Sequence, residues 1–242
     1  MKRIVLFSMF VVIIASAVRV HGGDCPRFRG PAGDGRFSET GLLKEWPDGG
    51  PKLAWSVKGL GKGFCSPTVA GGTVYVTGMD DQDQGYLFAF GLDGSPKWKT
   101  NYGPEMGKNG PAKPGTRGIA TIDGDLIFIM SSFGRLVMVE AAKGEVLKSI
   151  DLLERFGAEQ AKFGFAECVL VDGGKVICTP GGPDASLAAQ NTGETIWQTR
   201  GLSQPSGYCS ARLIRRGSQR LVLTMLEKAL VAIDPDTGKL LW

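Results

Sequence analysis

Histidine is almost absent: the chain of 242 residues has one, His21. It sits at the edge of an N-terminal stretch with the marks of a cleaved targeting segment, and removal of residues 1–23 leaves no imidazole. Ser-His-Asp and Cys-His catalysis, H-E-x-x-H zinc sites and histidine proton shuttles all need one, so ordinary hydrolase mechanisms fall away. Paired cysteines are missing too. Cys25, Cys65, Cys168, Cys178 and Cys209 include neither an adjacent pair nor a C-x-x-C, which excludes zinc ribbons and thioredoxin-like redox motifs. No glycine fingerprint for phosphate exists, and the glycines of AFGLDGSPK read as a turn. MDDQDQG at Met79–Gly85 places Asp at alternate positions but lacks the glutamate that closes an EF-hand loop, so it reads as a solvated strand connection. The sequence offers no other metal set.

Excess charge of one sign is also lacking. The formal +4 includes Lys2, Arg3 and Arg19 of the targeting segment, and without them 25 basic residues face 24 acidic ones. A balance of +1 supplies no concentrated basic face for nucleic acid or anionic lipid, and both are excluded as partners. The segment itself carries two basic residues, an apolar run from Ile4 to Val18 broken only by Ser8 and Ser16, then Ala15 and Ala17 at A-x-A spacing. That is a signal peptide, expected over 1–23, and it implies export to the periplasm or the exterior. The run is shorter than the roughly 20 residues of a membrane helix. With no second such run, no transmembrane domain is expected after cleavage. Cys25 follows Gly23 and Asp24 instead of small apolar residues, and reads as an ordinary thiol. An odd cysteine count in an exported chain leaves at least one thiol unpaired unless two chains share a bridge. Cys168 and Cys178 flank Asp172-Gly173-Gly174 symmetrically, so a three-residue loop would set them opposite each other. Two readings stand: a cross-strand disulfide, or two buried thiols behaving as small hydrophobes.

What the chain has is apolar content of 43%, only 21% charged residues, and 36 glycines. It is a folded, turn-rich and therefore mostly β chain. It also has a repeat. VAIDPDTGKLLW, ending at Trp242, recurs as LAAQNTGETIW ending at Trp197, as VMVEAAKGEVLK ending at Lys148, and as LFAFGLDGSPKW ending at Trp98, with PKLAW ending at Trp55. The endpoints are 43, 50, 49 and 45 residues apart. Each unit opens with a matching front half: SPTVAGGTVYVTG, ATIDGDLIFIM, CVLVDGGKVICTPGG and, with a longer turn, SARLIRRGSQRLVLTM. Strand, Gly turn, strand, loop, strand, Thr-Gly turn, strand gives four antiparallel strands per unit, which is a β-propeller blade. One small sheet cannot bury two apolar faces alone, so units must stack. Trp55, Trp98, Trp197 and Trp242 are expected as wedges between blades.

The A-x-D-x-x-T-G-K-x-x-W type of ending resembles the pyrroloquinoline quinone (PQQ) repeat. CPRFRGPAGDG with TGLLKEWPDGGPKLAW resembles a group of exported PQQ-like propeller proteins. The resemblance implies an all-β propeller of seven or eight blades, here about four blades plus one strand, with residues 24–52 as an N-terminal extension and 53–242 as repeats. The stretch ending at Trp55 reads as a fourth strand without its first three, so further units are expected after Trp242, and this half-ring alone should be marginally stable. The same repeat builds quinone-dependent alcohol and sugar dehydrogenases and the non-catalytic lipoprotein scaffold of outer-membrane assembly. For a dehydrogenase the resemblance implies PQQ, a calcium ion, a carboxylate base and, in several members, adjacent cysteines, which this chain lacks. The scaffold reading is therefore preferred, with protein partners or a small ligand at the propeller face and no catalytic residue assigned; a PQQ-dependent dehydrogenase is the alternative.

Two insertions interrupt the repeat: Asn101–Gly118, whose Pro and Gly forbid regular structure, and Asp151–Glu167, where Asp151 caps a helical turn before Gly157. Arg117, Glu167 and Tyr208 stand just before the first strands of successive units, the strands that line a propeller channel. They are the binding candidates, with Asp184 in the loop PGGPDAS.

Overall fold

The computed structural model describes residues 22–111, 113–183, 187–191 and 193–242. Asp184 and all but the last two residues of the expected signal peptide lie outside these. Three four-stranded antiparallel sheets follow one another along the chain: β1 (Thr68–Ala70), β2 (Thr73–Met79), β3 (Gln84–Gly91) and β4 (Pro96–Pro104); β5 (Thr121–Asp123), β6 (Leu126–Met130), β7 (Arg135–Glu140) and β8 (Val146–Asp151); β9 (Leu170–Asp172), β10 (Lys175–Cys178), β11 (Leu187–Asn191) and β12 (Glu194–Thr199). A fourth sheet has β13 (Arg212–Arg216), β14 (Gln219–Met225) and β15 (Leu230–Ile233). Its expected fourth strand is only a short ladder, in which Ala232 N–H donates to Trp242 O and Leu241 N–H to Ala232 O. β1 neighbours β5, β5 neighbours β9 and β9 neighbours β13, so the first strands form one wall. The four sheets do not close into a ring.

Alternation along the strands explains the stacking. Within β6, Ile127 and Ile129 pack toward the first sheet with Tyr75, Leu87 and Ala89. Phe128 and Met130, pointing the other way, pack toward the third sheet with Val169, Val171 and Val176. The third sheet repeats the device, with Leu170 and Ile177 turned to Val222, Val231 and Ile233 of the fourth. Side chains of period two thus supply apolar groups to both faces, and each face is covered only by a neighbouring sheet.

The tryptophans join consecutive sheets. Trp55 Nε1 donates to Leu92 O at 2.8 Å, Trp98 Nε1 to Ala141 O at 3.2 Å and Trp197 Nε1 to Pro235 O at 3.0 Å. Each ring lies on a turn glycine of the next unit, Gly94, Gly144 or Gly238, where a Cβ would come within 2.7 Å of the indole. Lys148 takes the same place with its stem against Gly193. Trp242 is 59% exposed. Leu53–Trp55, expected as a strand, lies outside every sheet among the described residues.

Two turns differ from expectation. Asp172 stands opposite Lys175, so the loop is the two residues Gly173-Gly174 instead of three. The same register places Cys178 opposite Val169, facing the second sheet with Val169 and Val176, while Cys168, one residue before Val169, points to the other side. Both are buried and neither is in a disulfide, as the one-residue shift requires. In the fourth unit Arg216 stands opposite Gln219, so that turn is also two residues long. The first insertion begins inside β4, which runs to Pro104 before regular structure stops. The second opens with α1 (Leu152–Phe156): Asp151 accepts from Leu153 N and Glu154 N at 3.1 Å, and Gly157 ends it with φ 59°.

Candidate functional site

The N-terminal extension lies across the wall of first strands. Cys25 exchanges two backbone hydrogen bonds with Val69 of β1, at 2.8 and 3.0 Å, and Pro26 O accepts from Ile122 N of β5 at 2.8 Å. The chain then leaves the wall in a coil from Arg27 to Gly35, closed by Gly30 N–H on Arg27 O and Gly35 N–H on Arg29 O. Between this strap and strands β9 and β13 a cavity of about 690 Å³ remains, within the range of ligand pockets.

Arg117 and Tyr208, singled out from sequence, both line it. Arg117 is braced by donating to Gly115 O at 2.7 Å and to Lys113 O, with its guanidinium 5.8 Å from the Phe64 ring. Tyr208 has a left-handed backbone (φ 55°), and its hydroxyl accepts from Phe163 N at 3.1 Å. Arg27, Arg29 and Arg212 also line the cavity. Sequence reasoning passed over them because two come from the strap and one from β13, and their separation in the chain hides their meeting.

Glu167 is brought near but does not line the cavity. It is 1% exposed, takes Thr179 N–H at 2.7 Å and Thr179 Oγ1–H at 3.0 Å, and accepts a third bond from the Ala211 backbone. Burial pushes its carboxyl up to about 7 against the opposing pull of these donors. The place is structural in other units as well. Cys65 Sγ meets Thr77 Oγ1 at 2.8 Å and Cys209 Sγ meets Thr224 Oγ1 at 3.4 Å, each tying the residue before a first strand to a threonine on the second. Burial also raises the thiols of Cys168, to about 11, and Cys178, so neither is a ready nucleophile.

The two insertions meet on a second feature, organised by Glu105. Its side chain, 1% exposed, accepts from Tyr102 Oη–H at 2.7 Å and from Ser132 N–H at 2.9 Å. Ser132 Oγ accepts from Met106 N at 2.7 Å, and Ser132 O takes Gln160 Nε2–H at 2.8 Å and Phe165 N–H at 2.9 Å. One carboxylate and one serine thus lock both insertions to the turn Ser131–Gly134. Burial raises the Glu105 carboxyl above the usual range. On this braced platform Phe133 and Phe163 are exposed, and Tyr208, exposed on the loop before β13, packs against Phe163 at 6.0 Å between ring centroids. A groove of about 640 Å³ lies alongside, between Met106, Phe133 and Lys162. In the sequence Glu105 shows only as an acid among prolines and glycines.

Among the described residues no three His, Cys, Asp or Glu side chains come together as metal ligands, and no helix is long and apolar enough to cross a membrane.

Four-strand sheets stacked by their faces, with first strands forming a common inner wall, define a β-propeller, present here as an open arc. The family model described as outer membrane protein assembly factor BamB matches residues 83–242. The chain belongs to that family of PQQ-like repeat proteins. No curated protein matches. Among solved structures, quinohemoprotein alcohol dehydrogenase from Comamonas testosteroni is similar at 19% identity and TM-score 0.55, over 78% of this chain and 35% of that one. BamB from Moraxella catarrhalis is similar at 16% identity and TM-score 0.51, over 74% of this chain and 47% of that one. The chain therefore spans between a third and a half of the length of these two, and at such identities the likeness establishes the fold.

Proposed function

We propose that this chain is part of an exported, non-catalytic binding or assembly scaffold, working in the periplasm or outside the cell, that docks protein partners on its rim. The observation that carries this reading is the platform held by Glu105. It presents exposed Phe133 and Phe163 on loops fixed by buried hydrogen bonds, with Tyr208 of the loop before β13 packed against Phe163. Aromatic anchors on a preorganised surface are what protein interfaces use for most of their binding energy. Membership of the BamB-like family supports the same reading.

The dehydrogenase alternative requires PQQ, a calcium ion and a free carboxylate base. The described residues of the structure do not fit the metal. Glu105 and Glu167 are buried with their oxygens engaged, and the cavity on the inner wall is lined by four arginines and no Asp or Glu, a field that repels a divalent cation. The carboxylate expected at the wall is spent on Thr179, so no step of alcohol or sugar oxidation is derived from it.

Two measurements test the proposal together. Incubated with the quinone and calcium, the protein is expected to reduce no dye with any alcohol or sugar; turnover dependent on both would overturn the scaffold reading. A photo-crosslinker placed at Phe163 is expected to trap a defined partner in the exporting cell, while one at the far turn residue Lys239 does not. Equal labelling from both positions would remove the platform from the account.

A further inference from the structure

The strap demonstrates how an extended segment is recognised by the inner wall. Val69, the middle residue of β1, commits both its N–H and its C=O to Cys25, and Ile122, the middle residue of β5, donates to Pro26. Val171 is the middle residue of β9 and stands opposite Val176 as Val69 stands opposite Val74 and Ile122 opposite Ile127. In an antiparallel ladder that position decides which edge the backbone groups face, so the Val171 N–H and C=O face the same inner edge. The strap never reaches them, because it turns away at Arg27. The cavity of about 690 Å³ opens there, running from Val171 to Arg212 on β13.

Its charge is as one-sided as its edge is open. Arg27, Arg29, Arg117 and Arg212 line it without a single acidic side chain. Outside the lining, Asp34 stands 4.0 Å from Arg212, which itself stays 44% exposed, and the buried Glu105 acts on Arg117. Arg27 Nε is shut away from solvent with no acceptor. Arginine forks match carboxylates in two-point geometry.

We propose that this cavity binds an extended acidic peptide segment of a partner protein, pairing its backbone with β9 along Val171 and its carboxylates with Arg29 and Arg212. The open strand edge selects an extended backbone, as in other cases of strand addition, and the arginines select its charge. A small polycarboxylate would use the arginines but leave the edge unpaired, which is why the peptide is favoured. This site lies on the inner wall; it shares Tyr208 with the rim surface but uses neither Phe133 nor Phe163, and so it does not depend on the platform being a docking surface.

The test uses the full chain and a fluorescein-labelled peptide of alternating Glu and Val, followed by anisotropy. Binding is expected, and it should weaken about tenfold or more in the double variant Arg29→Glu, Arg212→Glu. Both residues are exposed, and circular dichroism checks that the variant is folded. A peptide of alternating Gln and Val is expected not to bind. Should the variant misfold, a salt titration of the unaltered protein decides, since affinity carried by arginines must fall as salt rises. Equal binding of the Gln peptide, or an affinity indifferent to both salt and charge reversal, would overturn the proposal. Citrate binding in the absence of any peptide binding would overturn it in favour of a small anion.

Discussion

Glu167→Gln separates a structural carboxylate from a functional one. Glu167 ionises near 7 in the folded protein, against 4.5 for an ordinary glutamate. Between those values the unfolded chain has released the proton while the folded chain still holds it. The folded state therefore binds more protons, and stability falls as pH rises through that window, then levels off above about 7. The gap between the two values corresponds to at most about 3 kcal/mol. Glutamine imitates the protonated acid: its Nε2 can donate to Thr179 Oγ1 where that atom now lies 3.0 Å away, and its Oε1 can accept from Thr179 N–H. Urea unfolding at pH 5 and pH 8 should show the variant within about 1 kcal/mol of the unaltered protein at pH 5, and more stable than it by about 2–3 kcal/mol at pH 8. The difference between the two proteins isolates this residue from Glu105, whose carboxyl is also raised. A variant less stable than its parent at pH 8, or a stability difference independent of pH, would refute the view that burial dominates at this site.

Gly144→Ala drives a Cβ to within 2.5 Å of Trp98 at φ 75°, whereas Gly124→Ala, at φ 57°, meets nothing within 4 Å. The first should lower Tm by about 5–10 °C and the second by about 2–4 °C, measured by calorimetry, since both pay left-handed strain but only one displaces the wedge; equal losses would mean the tryptophan does not join the sheets. Glu105→Ala strands Tyr102 Oη–H and Ser132 N–H, at a cost of about 1–3 kcal/mol for each buried group. Hydrogen exchange at Ser132 and Met106 should then rise well above that of β6, and unchanged protection would show that the platform is held by something else.

Much of the architecture was legible because it is local and repeated. Evenly spaced tryptophans, turn glycines and two-sided apolar alternation announce sheets that must stack, and the Asp151 and Gly157 signals announce α1, since each of these is written within a few residues. What was misjudged depends on single-residue register. A loop of two residues in place of three turned Cys168 and Cys178 to opposite sides. Leu53–Trp55, a strand by its ending, lies outside every sheet.

The candidate site was legible only in part. Arg117 and Tyr208 reach one cavity because each precedes a first strand, a position the repeat specifies. Glu167 stands one residue nearer its strand, in the place of Cys65 and Cys209, and its side chain therefore turns to Thr179 instead of the cavity. Arg27, Arg29 and Arg212 are scattered through a chain whose charges nearly cancel. By itself the sequence determined the blades and their order, both consequences of short-range pattern, while the seating of each tryptophan on a glycine of the next unit came from the packing of the sheets. Only the tertiary structure decided that the N-terminal strap leaves β9 uncovered, that four arginines gather beside it and that Glu105 braces both insertions. Those meetings cross long stretches of chain, and they are settled by where the packed sheets bring distant segments together.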